Sequence, residues 1–174
     1  MIKKTTLMKA GTAALFALLG AYVANCVGKT TEPAAPVANL YAQTLNDAAG
    51  TSQALSQWKG KTLVVNFWAP WCGPCVKEMP ELSSFAQERA GKVQVIGIGI
   101  DSPSNIAEFS AKFKIKYPIY VAGMAGTDLA RQLGDVNGGL PFTVVIGADG
   151  QVKKTYLGTI KFDELKADLA ALKG

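Results

Sequence analysis

The 174-residue sequence contains no histidine and only three cysteines. Without histidine, the chain lacks the base that activates the nucleophile in Ser-His and Cys-His enzymes, so both classes of site are excluded. Most zinc and copper sites are also excluded, because imidazole is the commonest protein ligand of these metals. An iron–sulfur cluster or a zinc site built from cysteine alone needs four thiolates, which is one more than the chain has.

Acidic residues are absent from the first 31 positions, whereas four lysines lie among the first 30. Residues 31–174 carry 14 basic and 13 acidic side chains, so this part is nearly neutral. The cluster Lys112, Lys114 and Lys116 is interpreted as a solvated face, and no basic stripe predicts a nucleic-acid partner. With 49% hydrophobic and 18% charged residues, the composition is that of one folded domain.

Residues 10–28 form an uncharged run of 19 residues behind the N-terminal lysines. As a helix this run would span about 28 Å, close to the thickness of a hydrocarbon core. The preceding lysines predict a cytoplasmic N-terminus and an exported body. Residues 1–28 are therefore predicted to be a membrane anchor or signal peptide. Retention, cleavage and lipidation at Cys26 all remain open.

Three segments follow from this pattern: the N-terminal 1–28, a linker at 29–39 and a folded domain at 40–174. The linker is predicted from the two prolines and small residues of TTEPAAPVAN. The predicted location is the periplasm or cell envelope, with the N-terminal segment tethering the domain to the inner membrane.

The domain alternates between strand and helix patterns. Apolar, β-branched runs predict buried strands, and Asn46-Asp47 and Asp149-Gly150 predict hairpins. The predicted strands are 62–67, 93–100, 117–121, 142–146 and 152–157, and the predicted helices are 75–89, 103–113, 127–134 and 162–172. This alternation predicts an α/β fold in which helices flank a central sheet on both faces and an antiparallel hairpin closes one edge.

The stretch FWAPWCGPCVKEMP, residues 67–80, contains Cys72 and Cys75. The pair could bind Cu(I) as a linear dithiolate, or form a structural disulfide, although so short a loop restricts the unfolded chain little. The third interpretation is a redox pair. If a helix begins near Gly73, its N-terminus favours the thiolate of Cys72, and Cys75 lies one turn deeper. Cys72 is then the nucleophile, and Cys75 resolves the mixed disulfide.

Trp71-Cys72-Gly73-Pro74-Cys75, preceded by LVVNFWAP, resembles the active site of thioredoxin. From SQWKGKTLVVNFWAPWCGPCVKEMP to LPFTVVIGADGQV, the chain is similar to exported, often membrane-tethered thioredoxin-like proteins of the TlpA/ResA type. The resemblance implies a thioredoxin fold with a central mixed sheet, and thiol–disulfide oxidoreductase activity without a cofactor or metal. It also implies cysteine-containing protein substrates. We further expect a membrane thiol–disulfide electron donor and a monomer.

The Gly-Pro pair resembles that of reducing members, which favours a disulfide reductase, with cytochrome c maturation as one role that such proteins serve. An oxidase or isomerase, and a module that transfers Cu(I), are the alternatives.

Further site residues are carried over by position. Pro141 matches the proline that is cis in this fold and faces the cysteines, and the backbone of Leu140 is placed to meet a partner. Glu78 matches an acid common in TlpA/ResA-type proteins and is predicted to relay a proton. Asn66 stands where cytosolic thioredoxins have aspartate, so we expect it to tune the site. Substrate contacts are expected from Trp71, Gly73, Pro74 and Leu140.

Overall fold

The computed structural model describes residues 34–172. The predictions for residues 1–28, including Cys26, lie outside the described residues, as do those for residues 29–33 of the linker. None of the helices in the described part of the chain combines the length and the apolar content needed to cross a lipid bilayer.

Residues 34–172 form seven strands, five α-helices and one short 3-10 helix. The order is α1 (Ala35–Ala42), β1 (Thr44–Asp47), β2 (Ser52–Ala54), the 3-10 helix (Leu55–Trp58), β3 (Leu63–Trp68), α2 (Gly73–Glu88), β4 (Gln94–Gly99), α3 (Pro103–Lys112), β5 (Ile119–Val121), α4 (Ala125–Gln132), β6 (Phe142–Ile146), β7 (Val152–Leu157) and α5 (Phe162–Ala171). Both predicted hairpins are present, as β1–β2 and β6–β7.

The seven strands form one mixed sheet in the order β2-β1-β5-β4-β3-β6-β7. Strands β3, β4 and β5 are parallel, while β6 runs antiparallel to β3. Asn66 in β3 lies opposite Gly97 of β4 and Thr143 of β6, so these three positions share one face of the sheet. The beginning of β6 therefore lies beside the end of β3, where the cysteine motif starts.

Helices cover both faces of the sheet, as the sequence predicts. On one face, α2, α3 and α5 pack over Val64 and Trp68. On the other face, α1 and α4 pack over Val65 and Phe67. All six residues of β3 are buried, because this strand lies inside the sheet, between β4 and β6, with helices over both of its faces. The strand thus gives the cysteine motif a rigid support.

Helix α1 corrects the predicted domain boundary. Residues 35–39 were expected in the linker, but they form a helix with 40–42 whose Val37, Leu40 and Tyr41 are buried. Pro36 lies in the first turn, where its missing N–H costs no hydrogen bond. The linker prediction is wrong for these five residues, because the prolines and alanines of this segment are as compatible with a helix start as with a tether.

We expect Leu40→Ala to lower the free energy of unfolding by about 2–5 kcal/mol, because Leu40 is fully buried and its removal leaves a cavity. The matched control is Asn39→Ala, which alters an exposed neighbour on the same helix and should cost less than about 1 kcal/mol. Urea unfolding followed by circular dichroism measures both. A negligible effect of Leu40→Ala would show that α1 contributes nothing to domain stability.

Candidate active site at the start of helix α2

Cys72 and Cys75 form a disulfide, with their Cα atoms 5.3 Å apart. Cys72 is the N-cap of α2, and its Sγ accepts a hydrogen bond of 3.3 Å from the backbone N–H of Cys75. Cys72 is 6% exposed, whereas Cys75 is fully buried. Cys72 lies at the start of the helix and Cys75 deeper, as the sequence predicts. Cys75 is therefore closed to a partner in solution, and Cys72 is the one of the two cysteines with any exposed surface.

The local sequence explains why the helix starts at this point. Strand β3 ends at Trp68, and the N–H of Cys72 then donates to the carbonyl of Ala69 in a turn. Pro74 occupies the first turn of α2, where the backbone N–H groups lack partners within the helix. Such N–H groups and the helix dipole stabilise negative charge, and one of them, the N–H of Cys75, donates to the Cys72 sulfur.

Three of the four residues expected to contact a substrate surround Cys72 on the surface. Trp71 is 68% exposed, and Gly73 and Pro74 are also exposed. The fourth, Leu140, is half-buried and packs against the hydrophobic clusters of both faces. Leu140 belongs to the loop before β6, which the antiparallel pairing of β3 with β6 brings to this end of the sheet.

The Leu140–Pro141 peptide bond is cis. The carboxylate of Asp135 accepts a hydrogen bond of 3.0 Å from the N–H of Gly139 and so holds the loop that leads to Pro141. Asp135 is 3% exposed, and sequence reasoning missed it. The one signal for it was its place in GDVNGGLP, where an aspartate precedes a glycine-rich turn.

Glu78 is buried beneath the motif, at 3% exposure. Its Oε1 accepts a hydrogen bond of 2.9 Å from the side-chain amide of Asn66, and its Oε2 accepts one of 2.7 Å from the backbone N–H of Ile160. The Asn66 amide also donates to Thr143 Oγ1 at 3.0 Å, while Asn66 Oδ1 has no partner among the described residues. Glu78 and Asn66, both predicted site residues, thus form one buried polar cluster with Thr143.

Burial raises the pKa of the Glu78 carboxyl above its ordinary value, because the charged form loses hydration. The hydrogen bonds from Ile160 and Asn66 act in the opposite direction, and the charge of Glu81 adds a smaller increase. The pKa of Glu78 is thus raised overall. The stability that this group contributes is therefore fully present below its unfolded-state pKa and is lost as the pH rises through its folded-state pKa.

Comparisons with known proteins place this chain in a family. The family model described as Redoxin matches residues 28–169. The thiol-disulfide oxidoreductase ResA of Geobacillus thermodenitrificans is 31% identical over 133 residues, which cover 74% of this chain and 73% of that protein. The chain belongs to the redoxin family.

Solved structures of redoxin-like proteins share the fold. A secreted disulfide oxidoreductase of Mycobacterium tuberculosis matches with a TM-score of 0.64 and 23% identity, over 76% of this chain and 98% of that one. A DsbF homologue from Corynebacterium diphtheriae matches with a TM-score of 0.65 and 25% identity, over 74% and 83%. The predicted thioredoxin fold is confirmed.

Proposed function

We propose that this redoxin is a thiol–disulfide oxidoreductase that reduces disulfide bonds of exported proteins through Cys72 and Cys75. The observation that carries the proposal is the pairing of the two sulfurs across the start of α2, one reachable from solvent and the other fully buried. This arrangement lets a partner's sulfur bond to Cys72 while the thiol of Cys75 stays buried next to it.

In the reduced protein, the Cys72 thiolate attacks one sulfur of the substrate disulfide. The substrate's S–S bond breaks, a mixed disulfide forms on Cys72, and the other substrate sulfur leaves as a thiolate. Cys75 then attacks the Cys72 sulfur and releases the second substrate thiolate. Two electrons pass to the substrate, which gains two thiols, and the protein is left with the Cys72–Cys75 disulfide seen in the structure.

Glu78 accepts the proton of Cys75 when that thiol becomes the attacking thiolate. Both residues are buried on α2, three positions apart, a spacing that brings side chains to the same side of a helix. Asn66 is a positioning residue that orients the Glu78 carboxyl through the 2.9 Å hydrogen bond. The surface that meets the substrate consists of Trp71, Gly73, Pro74 and Leu140, and the buried cis Pro141 follows Leu140 directly.

The sequence features of residues 1–28 support an envelope location with a membrane tether. A membrane thiol–disulfide carrier then supplies the electrons that restore the dithiol, and the domain acts as a monomer on cysteine-containing proteins. Cytochrome c maturation is the pathway that the TlpA/ResA resemblance favours. These assignments extend the proposal from the chemistry of the cysteine pair to the location, the electron donor and the pathway of the protein.

Equilibration of the protein with thiol–disulfide buffers tests the direction of transfer. We expect a midpoint potential below about −200 mV, nearer to the roughly −270 mV of thioredoxin than to the roughly −120 mV of a strong oxidant. A Cys26→Ser variant should give the same midpoint potential, because the Cys72–Cys75 pair is the one that is oxidised and reduced. A midpoint near −120 mV would instead favour an oxidase, and the absence of any exchange with disulfides would overturn the proposal.

A further inference from the structure

A polar pocket of about 350 Å³ lies at the end of the sheet opposite the cysteine motif. Strand β3 begins at Leu63 beside this pocket and ends at Trp68, from which the chain continues to Cys72. A strand of this length spans roughly 20 Å. The pocket is thus separate from the redox site, and its lining includes Lys61, Thr62, Lys92, Gln94 and Ala148.

The pairing of β3 with β4 brings Lys61 and Lys92 side by side. Leu63 and Gln94 are partners in the parallel register, and each lysine lies two positions before the paired residue of its own strand. The N–H of Gln94 donates to the carbonyl of Thr62 at 2.9 Å and extends the pairing toward the lysines. Since neighbouring strands lie about 4.8 Å apart, the two ammonium groups can contact one anion.

Each of the two lysines follows a glycine with a positive φ. Gly60 has a φ of +76° and Gly91 a φ of +79°, in the left-handed region that glycine favours. A Cβ added at either glycine would meet no atom within 4 Å, so the turn requires glycine here and crowding does not. Two equivalent Gly-Lys turns therefore lead into the neighbouring strands.

The charges of Lys61 and Lys92 are not neutralised within residues 34–172. Both side chains are exposed, and neither forms an ion pair with a carboxylate of this part of the chain. The Nζ of Lys61 lies 4.8 Å from the centroid of the Trp58 ring, a cation–π contact that leaves the positive charge in place. Asp149, next to the lining, is paired with Lys153 at 2.5 Å. The pocket therefore favours an anion.

The described part of the chain begins at the same end of the domain. The N–H of Ala34 donates to the carbonyl of Gly150 at 3.2 Å, and Gly150 belongs to the β6–β7 turn that also contributes Ala148 to the pocket. Residues 29–33 separate Ala34 from the predicted membrane segment. Five residues reach at most roughly 18 Å when fully extended. A tether of this length keeps the pocket near the lipid.

We propose that this pocket binds the phosphodiester headgroup of an anionic phospholipid, which docks the domain on the membrane with Cys72 directed away from the lipid. The inference rests on the proposed membrane tether. The volume of the pocket lies within the roughly 300–1,000 Å³ of sites that enclose small organic groups. An anionic membrane surface attracts lysines close to it, and two of them favour the docked orientation by about 30-fold.

A short tether also explains why a lipid is the occupant. It holds the pocket beside the membrane surface, so the headgroups are present at a high effective concentration that a free anion in solution does not reach. The docked domain presents the opposite end of the sheet, with Cys72, to exported proteins. Membrane contact and disulfide exchange thus use different ends of the domain.

Acetylation of lysines by a water-soluble reagent, quantified by mass spectrometry, tests the proposal on the full chain in phospholipid nanodiscs. One nanodisc contains phosphatidylcholine alone, and the other contains an equal mixture with phosphatidylglycerol. We expect acetylation of Lys61 and Lys92 to slow at least about fivefold in the anionic nanodisc. Lys77 and Lys161 should change less than about twofold, because they lie near Cys72 and Glu78 at the other end of the domain.

Paired variants separate the pocket from general attraction to the membrane. Lys59 is exposed and lies two residues before Lys61, so we expect the anionic nanodisc to protect it as well. The double variant Lys61→Gln/Lys92→Gln should reduce the protection of Lys59 to less than about twofold. Lys77→Gln/Lys161→Gln removes the same charge at the other end and should keep it. All four substituted lysines are exposed, so both variants should fold normally.

Unchanged acetylation of Lys61 and Lys92 in the anionic nanodisc would overturn the headgroup proposal and leave the tether intact. Protection of Lys112 and Lys114 in their place would show that another face meets the lipid, with the same consequence. Equal protection by inorganic phosphate without nanodiscs would identify a site for free phosphate, and the proposal would fail.

The tether itself is tested by the same samples. If the chain associates only with the anionic nanodisc and Lys61 and Lys92 are protected there, the headgroup contact is supported and the proposed tether is wrong. Association with neither nanodisc would contradict both. Association with both nanodiscs, with protection of these two lysines in the anionic one alone, is the result that we expect.

Discussion

Cys72→Ser is expected to lower the rate of disulfide exchange by at least about 10³-fold, because a serine hydroxyl stays protonated at neutral pH and forms no disulfide. The fold should be retained, since the disulfide closes so short a loop that it restricts the unfolded chain little. Reduction of a protein disulfide, followed by thiol quantitation, measures the loss. Residual turnover above a tenth of that of the unaltered protein would contradict the assignment of Cys72 as nucleophile.

Cys75→Ser should behave differently although it removes the neighbouring thiol. Cys72 can still attack a substrate, but no second sulfur lies behind it to release the product, so the mixed disulfide accumulates. Non-reducing electrophoresis and mass spectrometry detect the adduct and identify the trapped partner. Cys26→Ser is the matched control, with unchanged turnover and no adduct. If Cys75→Ser turned over normally, resolution by Cys75 would be ruled out.

Glu78→Gln is expected to slow the resolution of the mixed disulfide by about 10²-fold at pH 7, within the range of a lost proton acceptor. The amide fits the same space. Its oxygen can accept from the N–H of Ile160. Its NH₂ group can donate to Asn66 Oδ1, which has no partner within residues 34–172, once the Asn66 amide rotates. The variant therefore removes the titrating carboxyl with little change in packing.

The pH dependence separates a proton acceptor from a merely structural residue. In the unaltered protein, the rate of resolution should rise as the pH passes the raised pKa of Glu78, because the carboxylate then accepts the proton. This rise should be missing in Glu78→Gln. Stopped-flow measurements between pH 5 and 8 test the prediction. Identical profiles for both proteins would show that Glu78 has no part in proton transfer.

The same two proteins should differ in stability. Since burial raises the pKa of Glu78, the unaltered protein loses stability as the pH rises between the unfolded-state and folded-state values, by about 1.4 kcal/mol per pH unit for one proton. Glu78→Gln should lack this slope. Glu108→Gln, which alters an exposed glutamate on α3, should keep it. A slope that persists in Glu78→Gln would assign it to another group.

The cysteine motif and the strands were predictable because their signals are local. Residues 63–75 begin with an apolar run, which predicts a buried strand. Trp-Cys-Gly-Pro-Cys follows and predicts a helix N-terminus. The hairpins also follow from adjacent residues. Helix α1 was missed since only three of its eight residues are buried, and prolines precede or begin it. Its burial depends on partners in α4 and the 3-10 helix, which lie far along the chain.

The environment of Glu78 could not be read from the sequence. Its two hydrogen-bond partners are Asn66, twelve positions earlier, and Ile160, 82 positions later. A glutamate three residues after Cys75 is equally compatible with an exposed helix surface, and helix spacing alone does not decide between the two. In the structure Glu78 is buried, because α2 lies over the sheet with Glu78 turned toward Asn66 and Thr143.

The sequence by itself determined the chemistry of this protein: two thiols on one helix turn, no histidine, and a sheet built from apolar runs. The tertiary structure decided which sulfur a partner can reach, which acid is buried near the motif, and that Lys61 and Lys92 line one pocket. The physical reason is that thiol spacing and strand pattern depend on neighbouring residues. Exposure, proton affinity and surface shape depend on contacts that the fold makes between distant ones.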